Sequence, residues 1–166
     1  MHLQTFLFRT GAAALVAAAL AACTTPAPPV RPGQAATPPA QRQTLFIRPA
    51  SGTTVARFDG VRNKGIDIAG SLGDPIVASA DGRVVYVGSE LRSYGNMVIV
   101  KHNDTFLTAY AHAQTILVKE NAVVRQGEKI AEMGRSDADR VKVHFEIRKN
   151  GTAVDPEPYL SGRLQQ

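Results

Sequence analysis

Arg140-Val141-Lys142-Val143-His144-Phe145-Glu146-Ile147-Arg148 alternates charged or polar side chains with apolar ones at every step. A period of two this regular belongs to a β-strand that buries one face and turns the other toward solvent or a groove. Val141, Val143, Phe145 and Ile147 then face a core, while Lys142 and His144 project side by side on the open face. Upstream, the same kind of short unit recurs, each stopped by a turn signal. Residues 66–69 stop at Gly70, residues 75–80 run into Asp81-Gly82, and residues 83–87 stop at Gly88. Residues 97–100 and 106–112 flank His102-Asn103-Asp104, the spacing of a hairpin. Along the second of these, Phe106, Thr108, Tyr110 and His112 fall on one face, and Leu107, Ala109 and Ala111 on the other. Residues 128–133 follow Gln126-Gly127 and stop at Gly134. Beyond the N-terminal segment no amphipathic helical stretch stands out. The expectation is an all-β chain of short antiparallel strands with an open groove.

The N-terminus has a different character. His2 and Arg9 precede an apolar run, residues 11–22, that ends in Leu20-Ala21-Ala22-Cys23. A weakly basic start, a short apolar core and small residues at the cut are the marks of a secretory signal. The run is too short for a stable transmembrane span. Cys23 is the single cysteine of the chain, so neither a disulfide framework nor a thiolate metal site is available. The pattern resembles a bacterial lipobox, which implies cleavage after residue 22 and acylation of Cys23. Several acyl chains anchor far more firmly than one. Thr24 rather than aspartate follows Cys23, which by that resemblance points to the outer membrane, facing the periplasm.

Residues 24–43 carry Pro26, Pro28, Pro29, Pro32, Pro38 and Pro39 among Ala, Thr and Gln. Such a composition cannot bury a core and reads as a disordered, semi-extended tether. Without residues 1–22, which contain Arg9 and no acid, the chain has 18 Lys+Arg against 14 Asp+Glu. That modest excess suits a polyanion or an acidic protein surface. No recognition-helix pattern or RNA-binding aromatic signature accompanies it, so nucleic acid is not an expected partner. The expected organisation is a signal at 1–22, an acylated cysteine and linker at 23–43, a globular domain at 44–162 and a tail at 163–166.

Two stretches bear on chemistry: Asn63-Lys64-Gly65-Ile66-Asp67, and Lys142-Val143-His144 of the alternating strand. The first resembles the His-x-x-x-Asp motif of the LytM (lysostaphin-like) peptidoglycan endopeptidases, with Asn63 in the histidine's place. The second resembles their His-x-His strand, with Lys142 in place of the first histidine. The likeness runs on through Tyr94-Gly95-Asn96, Tyr110-Ala111-His112, Gln126-Gly127 and Val154-Asp155-Pro156, spanning about residues 45–162. It implies a LytM-like fold, with zinc ligands at the positions of Asn63, Asp67 and His144 and catalytic histidines at those of His112 and Lys142.

A catalytic zinc takes three good protein ligands and leaves a fourth position for water. An asparagine amide is a poor substitute for imidazole. An ammonium at residue 142 opposes a dication and cannot accept the water's proton. The expectation is therefore a degenerate site with no catalytic residues, no metal and no cofactor. Lys142 is expected to pair with Asp67 in the cation's stead.

Within the family, the likeness is to the NlpD-type murein hydrolase activators, which share Asn-Lys-Gly-Ile-Asp-Ile-Ala-Gly with residues 63–70. That resemblance implies a lipoprotein that activates periplasmic N-acetylmuramoyl-L-alanine amidases during daughter-cell separation without cutting peptidoglycan itself. Typical members have a LysM module between anchor and LytM domain, where this chain has the proline-rich stretch. A groove lined by Asn63, Asp67, His112, Lys142 and His144 is the expected partner surface, with Arg62, Lys64, Arg135 and Arg140 as rim charges. Two other readings compete: a zinc endopeptidase cleaving cross-links, and a structural lipoprotein that binds peptidoglycan.

Overall fold

Residues 46–164 are described by a computed structural model; the expected signal, Cys23 and the tether lie outside the described residues. Short runs of β-branched and aromatic residues broken by glycine and aspartate give strand after strand. In chain order these are β1 (Thr54–Ala56), β2 (Ile66–Ala69), β3 (Pro75–Val77), β4 (Gly82–Gly88), β5 (Met97–Lys101) and β6 (Phe106–Ala111). They continue as β7 (Ala113–Ile116), β8 (Val123–Val124), β9 (Lys129–Met133), β10 (Lys142–Lys149) and β11 (Thr152–Val154), followed by one helical turn, α1 (Glu157–Leu160). The turn was not expected. Four residues are too few to show a helical period, and Pro156 at its start and Asp155, whose Oδ1 accepts the Glu157 N–H at 3.0 Å, set it up locally.

The strands form an antiparallel eight-stranded sheet, ordered β1-β2-β10-β6-β5-β4-β8 with β11 on β10, and a three-stranded sheet β3-β9-β7. The alternating strand is thus central, between β2 and β6. Its apolar face, Val143, Phe145 and Ile147, is fully buried with Ile66, Ile68, Val98, Val100 and Tyr110. Each such side chain contributes roughly 1.5–3 kcal/mol by leaving water. Gly65 lets β2 lie this close, because a Cβ there would come within 2.1 Å of the Phe145 carbonyl oxygen.

The Asp81-Gly82 turn signal falls between β3, which pairs with β9, and β4, which pairs with β5 and β8, and two other details depart from the sequence pattern. The turn carries the chain from one sheet to the other. Glu146 is fully buried although it belongs to the open face of β10. His112 does not share a face with Tyr110. It stands between β6 and β7, where the chain leaves the large sheet for the small one, with a left-handed φ of 64°. That rotation turns its ring away from the core and toward the open face.

Candidate functional site

The open face of the large sheet collects polar side chains at one end. β2 contributes Asp67, which pairs in register with His144 of β10. Alternation on β10 then places Lys142, His144, Glu146 and Arg148 in a row. The row is bonded end to end. Lys142 Nζ donates to Asp67 Oδ2 at 2.8 Å, and Asp67 Oδ1 lies 2.7 Å from His144 Nδ1. His144 Nε2 lies 3.2 Å from Glu146 Oε1, and Arg148 Nε donates to Glu146 Oε2 at 2.8 Å. Tyr94 Oη also donates to Glu146 Oε1, at 2.7 Å. Charges therefore alternate in sign along the chain Lys142, Asp67, His144, Glu146, Arg148.

The ionisation of each member follows from its neighbours. Burial alone would raise the carboxyl of Asp67, but hydrogen bonds from His144 and Lys142 outweigh it and hold the group down at about 2. Burial likewise opposes charge on Glu146, and bonds from His144, Tyr94 and Arg148 bring it to about 2. Burial would lower His144, yet the two carboxylates raise it above the ordinary imidazole value. Tyr94 is pushed up to about 12 by burial and by the Glu146 carboxylate it serves.

A cavity of about 560 Å³ opens beside this row and is walled by Asn63, Asp67, His112, Lys142 and His144 together with Tyr94. The five residues expected from sequence thus meet in one place. His112 is buried, with Nδ1 2.8 Å from the Ser136 carbonyl oxygen. A carbonyl only accepts, so Nδ1 carries the proton and Nε2 is left as an acceptor. Burial keeps this imidazole neutral, its pKa lowered despite the Ser136 carbonyl. Asn63 turns its amide oxygen to the Gly65 N–H at 3.1 Å, closing the loop before β2. Of the expected rim charges, Arg62 and Lys64 line the cavity. Arg140 lies in an adjoining cleft shared with Asp67 and Lys142, and Arg135 is exposed outside that wall.

Sequence reasoning missed Glu146, Arg148 and Tyr94 as parts of the site. The signal for the first two was their place on the same face of β10 as Lys142 and His144. For Tyr94, which arrives from the loop before β5, there was no such signal.

A zinc ion here would have to draw its ligands from this donor set. A histidine nitrogen bonded to a carboxylate carries a proton, and both nitrogens of His144 are so bonded. His144 therefore has no lone pair to give. Asp67 is held by Lys142, and the Asn63 oxygen by Gly65. Among the described residues no group of three or more His, Cys, Asp or Glu is arranged to hold a metal ion. These residues do not fit zinc.

An antiparallel sheet with this residue set on its open face defines a LytM-like, peptidase-type domain. The chain belongs to peptidase family M23, whose family model matches residues 61–156. It is 56% identical over 117 residues to the lipoprotein NlpD/LppB homolog of Pseudomonas aeruginosa, covering 69% of this chain and 39% of that protein. It is 51% identical over 117 residues to the murein hydrolase activator NlpD of Escherichia coli K12, covering 69% of this chain and 31% of that one. The matched segment is thus well under half of either relative. Among solved structures it resembles a zinc-containing peptidase from Vibrio cholerae, with a TM-score of 0.64 and 27% identity, over 70% of this chain and 39% of that one.

Proposed function

We propose that the protein is a non-catalytic activator of periplasmic N-acetylmuramoyl-L-alanine amidases, acting in cell-wall remodelling and daughter-cell separation. The observation that carries this reading is His144, with both ring nitrogens committed to carboxylates while Lys142 occupies the remaining oxygen of Asp67. A site that would have to dismantle three ion pairs to bind a metal is a poor peptidase and a sound scaffold. The relatives' names, a murein hydrolase activator and a lipoprotein, support the same reading. The groove of Asn63, Asp67, His112, Lys142 and His144 is the partner surface. Cys23 is the lipid attachment point, holding the protein at the outer membrane with residues 24–43 as tether and 44–162 as the working domain in the periplasm.

The test adds the purified full chain to dye-labelled peptidoglycan, alone and with a candidate amidase, with zinc measured on the same sample. Release only when the amidase is present is the expected outcome. Release by the protein alone, with stoichiometric zinc, would establish a zinc endopeptidase instead. Binding to peptidoglycan with no release in either arm would leave a structural lipoprotein.

A further inference from the structure

The loop that enters β2 is held by one side chain. Asp59 Oδ1 accepts the backbone N–H groups of Val61, Arg62 and Asn63 at 2.8, 2.8 and 2.9 Å. The Asn63 carbonyl in turn accepts the N–H groups of Asp59 and Gly60 at 3.1 and 3.2 Å. This closed loop forms one lip of the groove and carries Arg62 and Lys64, with Arg57 just before it. Its tip is Val61, 79% exposed, and β1 beside it leaves Val55 47% exposed at the adjoining cleft.

The charges of this lip do not cancel. Lys142 is matched by Asp67 at 2.8 Å, Arg140 by Asp139 at 3.1 Å, and Arg62 by Asp59 at 3.7 Å. Arg57 lines the groove, exposed, with no ion pair among the described residues. The ammonium of Lys64 rests only on the Gly60 carbonyl, at 2.5 Å. Two cations therefore face the mouth uncompensated. Inside, His112 Nε2 offers an acceptor suited to a peptide N–H.

From this arrangement we infer that the groove receives an acidic peptide segment of the partner, its carboxylates on Arg57 and Lys64 and an apolar side chain against Val61 or Val55. Asp59 is a positioning residue that keeps the lip in shape. This inference rests on the groove being the amidase-binding surface, and it adds the chemistry of what binds there. A glycan strand would use the cations but not the two exposed valines, which favours a peptide. Rim charges of this kind steer and select a partner more than they tighten it.

The experiment measures fluorescence anisotropy of a labelled peptide of alternating Glu and Val with the full chain, using the alternating Lys and Val peptide as control. The Glu–Val peptide is expected to bind and the Lys–Val peptide not. Raising salt from about 0.1 M to about 1 M shortens the screening length from about 10 Å to about 3 Å and should weaken binding several-fold. The double variant Arg57→Glu, Lys64→Glu should lose about tenfold or more in affinity and lower amidase activation in step, with an unchanged melting temperature because both residues are exposed. Asp59→Ala removes a negative charge, so bare electrostatics predicts tighter binding. Loss of the lip's geometry predicts roughly threefold weaker binding.

Equal binding of both peptides, or an undiminished charge-reversal variant, overturns the inference. So does loss of peptidoglycan binding in that variant with no peptide binding in the wild type. A wild-type protein that activates the amidase, with a charge-reversal variant that activates equally, rejects the acidic segment and leaves the activator reading standing. A wild-type protein that activates nothing rejects the activator reading itself.

Discussion

His102, just after β5, and His144, on β10, are each hydrogen-bonded at both ring nitrogens, yet they are shifted in opposite directions. His102 faces the Asp81 carbonyl at 2.7 Å and Thr108 Oγ1 at 2.8 Å. Both hydrogen-bond partners are neutral, and burial outweighs the Asp81 carbonyl and the more distant Asp81 charge, so the pKa falls. His144 is opposed by burial too, but it sits between two carboxylates and its pKa rises. What separates them is the charge of the partner, not the number of bonds. His102 belongs to a neutral network that continues through Thr108 and Tyr110 to the Ser79 N–H. That network joins the large sheet to the segment after β3. His144 belongs to a row of ions along the groove wall.

The most damaging way to break this contrast is to delete an anion from the ionic row. Glu146→Ala strips the buried His144 of one carboxylate and leaves the half-exposed Arg148 beside it, and should cost about 2–4 kcal/mol in chemical denaturation. Lys142→Ala leaves Asp67 with His144 alone and should cost about 1–3 kcal/mol, with a drop in amidase activation. If neither melting nor activation changes in that variant, the pair does not hold the groove. In the neutral network, Tyr110→Phe strips a buried acceptor from the Ser79 N–H and should cost about 1–2 kcal/mol while leaving activation untouched.

The gentlest probe is pH. His144 has a folded pKa above its unfolded one, so its contribution is present below the unfolded value and is lost as pH rises through the folded value. His102 has a folded pKa below its unfolded one, so its contribution is present above the unfolded value and is lost as pH falls. Melting curves between about pH 5 and about pH 8 should therefore slope oppositely in the two single variants. His102→Gln should lose stability with rising pH, and His144→Gln should gain it. Asp67 and Glu146, both held at about 2, add a separate loss as pH falls from their ordinary range toward that value.

Much of this is legible in the sequence itself. The alternation on β10 predicted both its core face and the row that holds Lys142 and His144, and the Lys142–Asp67 pair was expected from the missing histidine. Alternation could not show that Glu146 is sealed from solvent. A period of two says which way a side chain points, not what lies on top of it, and Tyr94 comes from a loop more than 50 positions away. The small sheet was hidden for a related reason, since β3, β9 and β7 are far apart in sequence and none carries a long pattern. His112 was assigned to the wrong face because strict alternation assumes an unbroken strand, and its backbone breaks there.

That break has a practical side for anyone engineering the domain. A non-glycine residue at a φ of 64° stores on the order of 1 kcal/mol of strain. Glycine would relieve it, but it would also take a buried ring out of the groove wall and leave the Ser136 carbonyl without its donor, a cost larger than the strain. A library ranked by heat resistance should therefore keep the imidazole. At this position, thermal tolerance and an intact groove wall pull together, so a screen for one preserves the other.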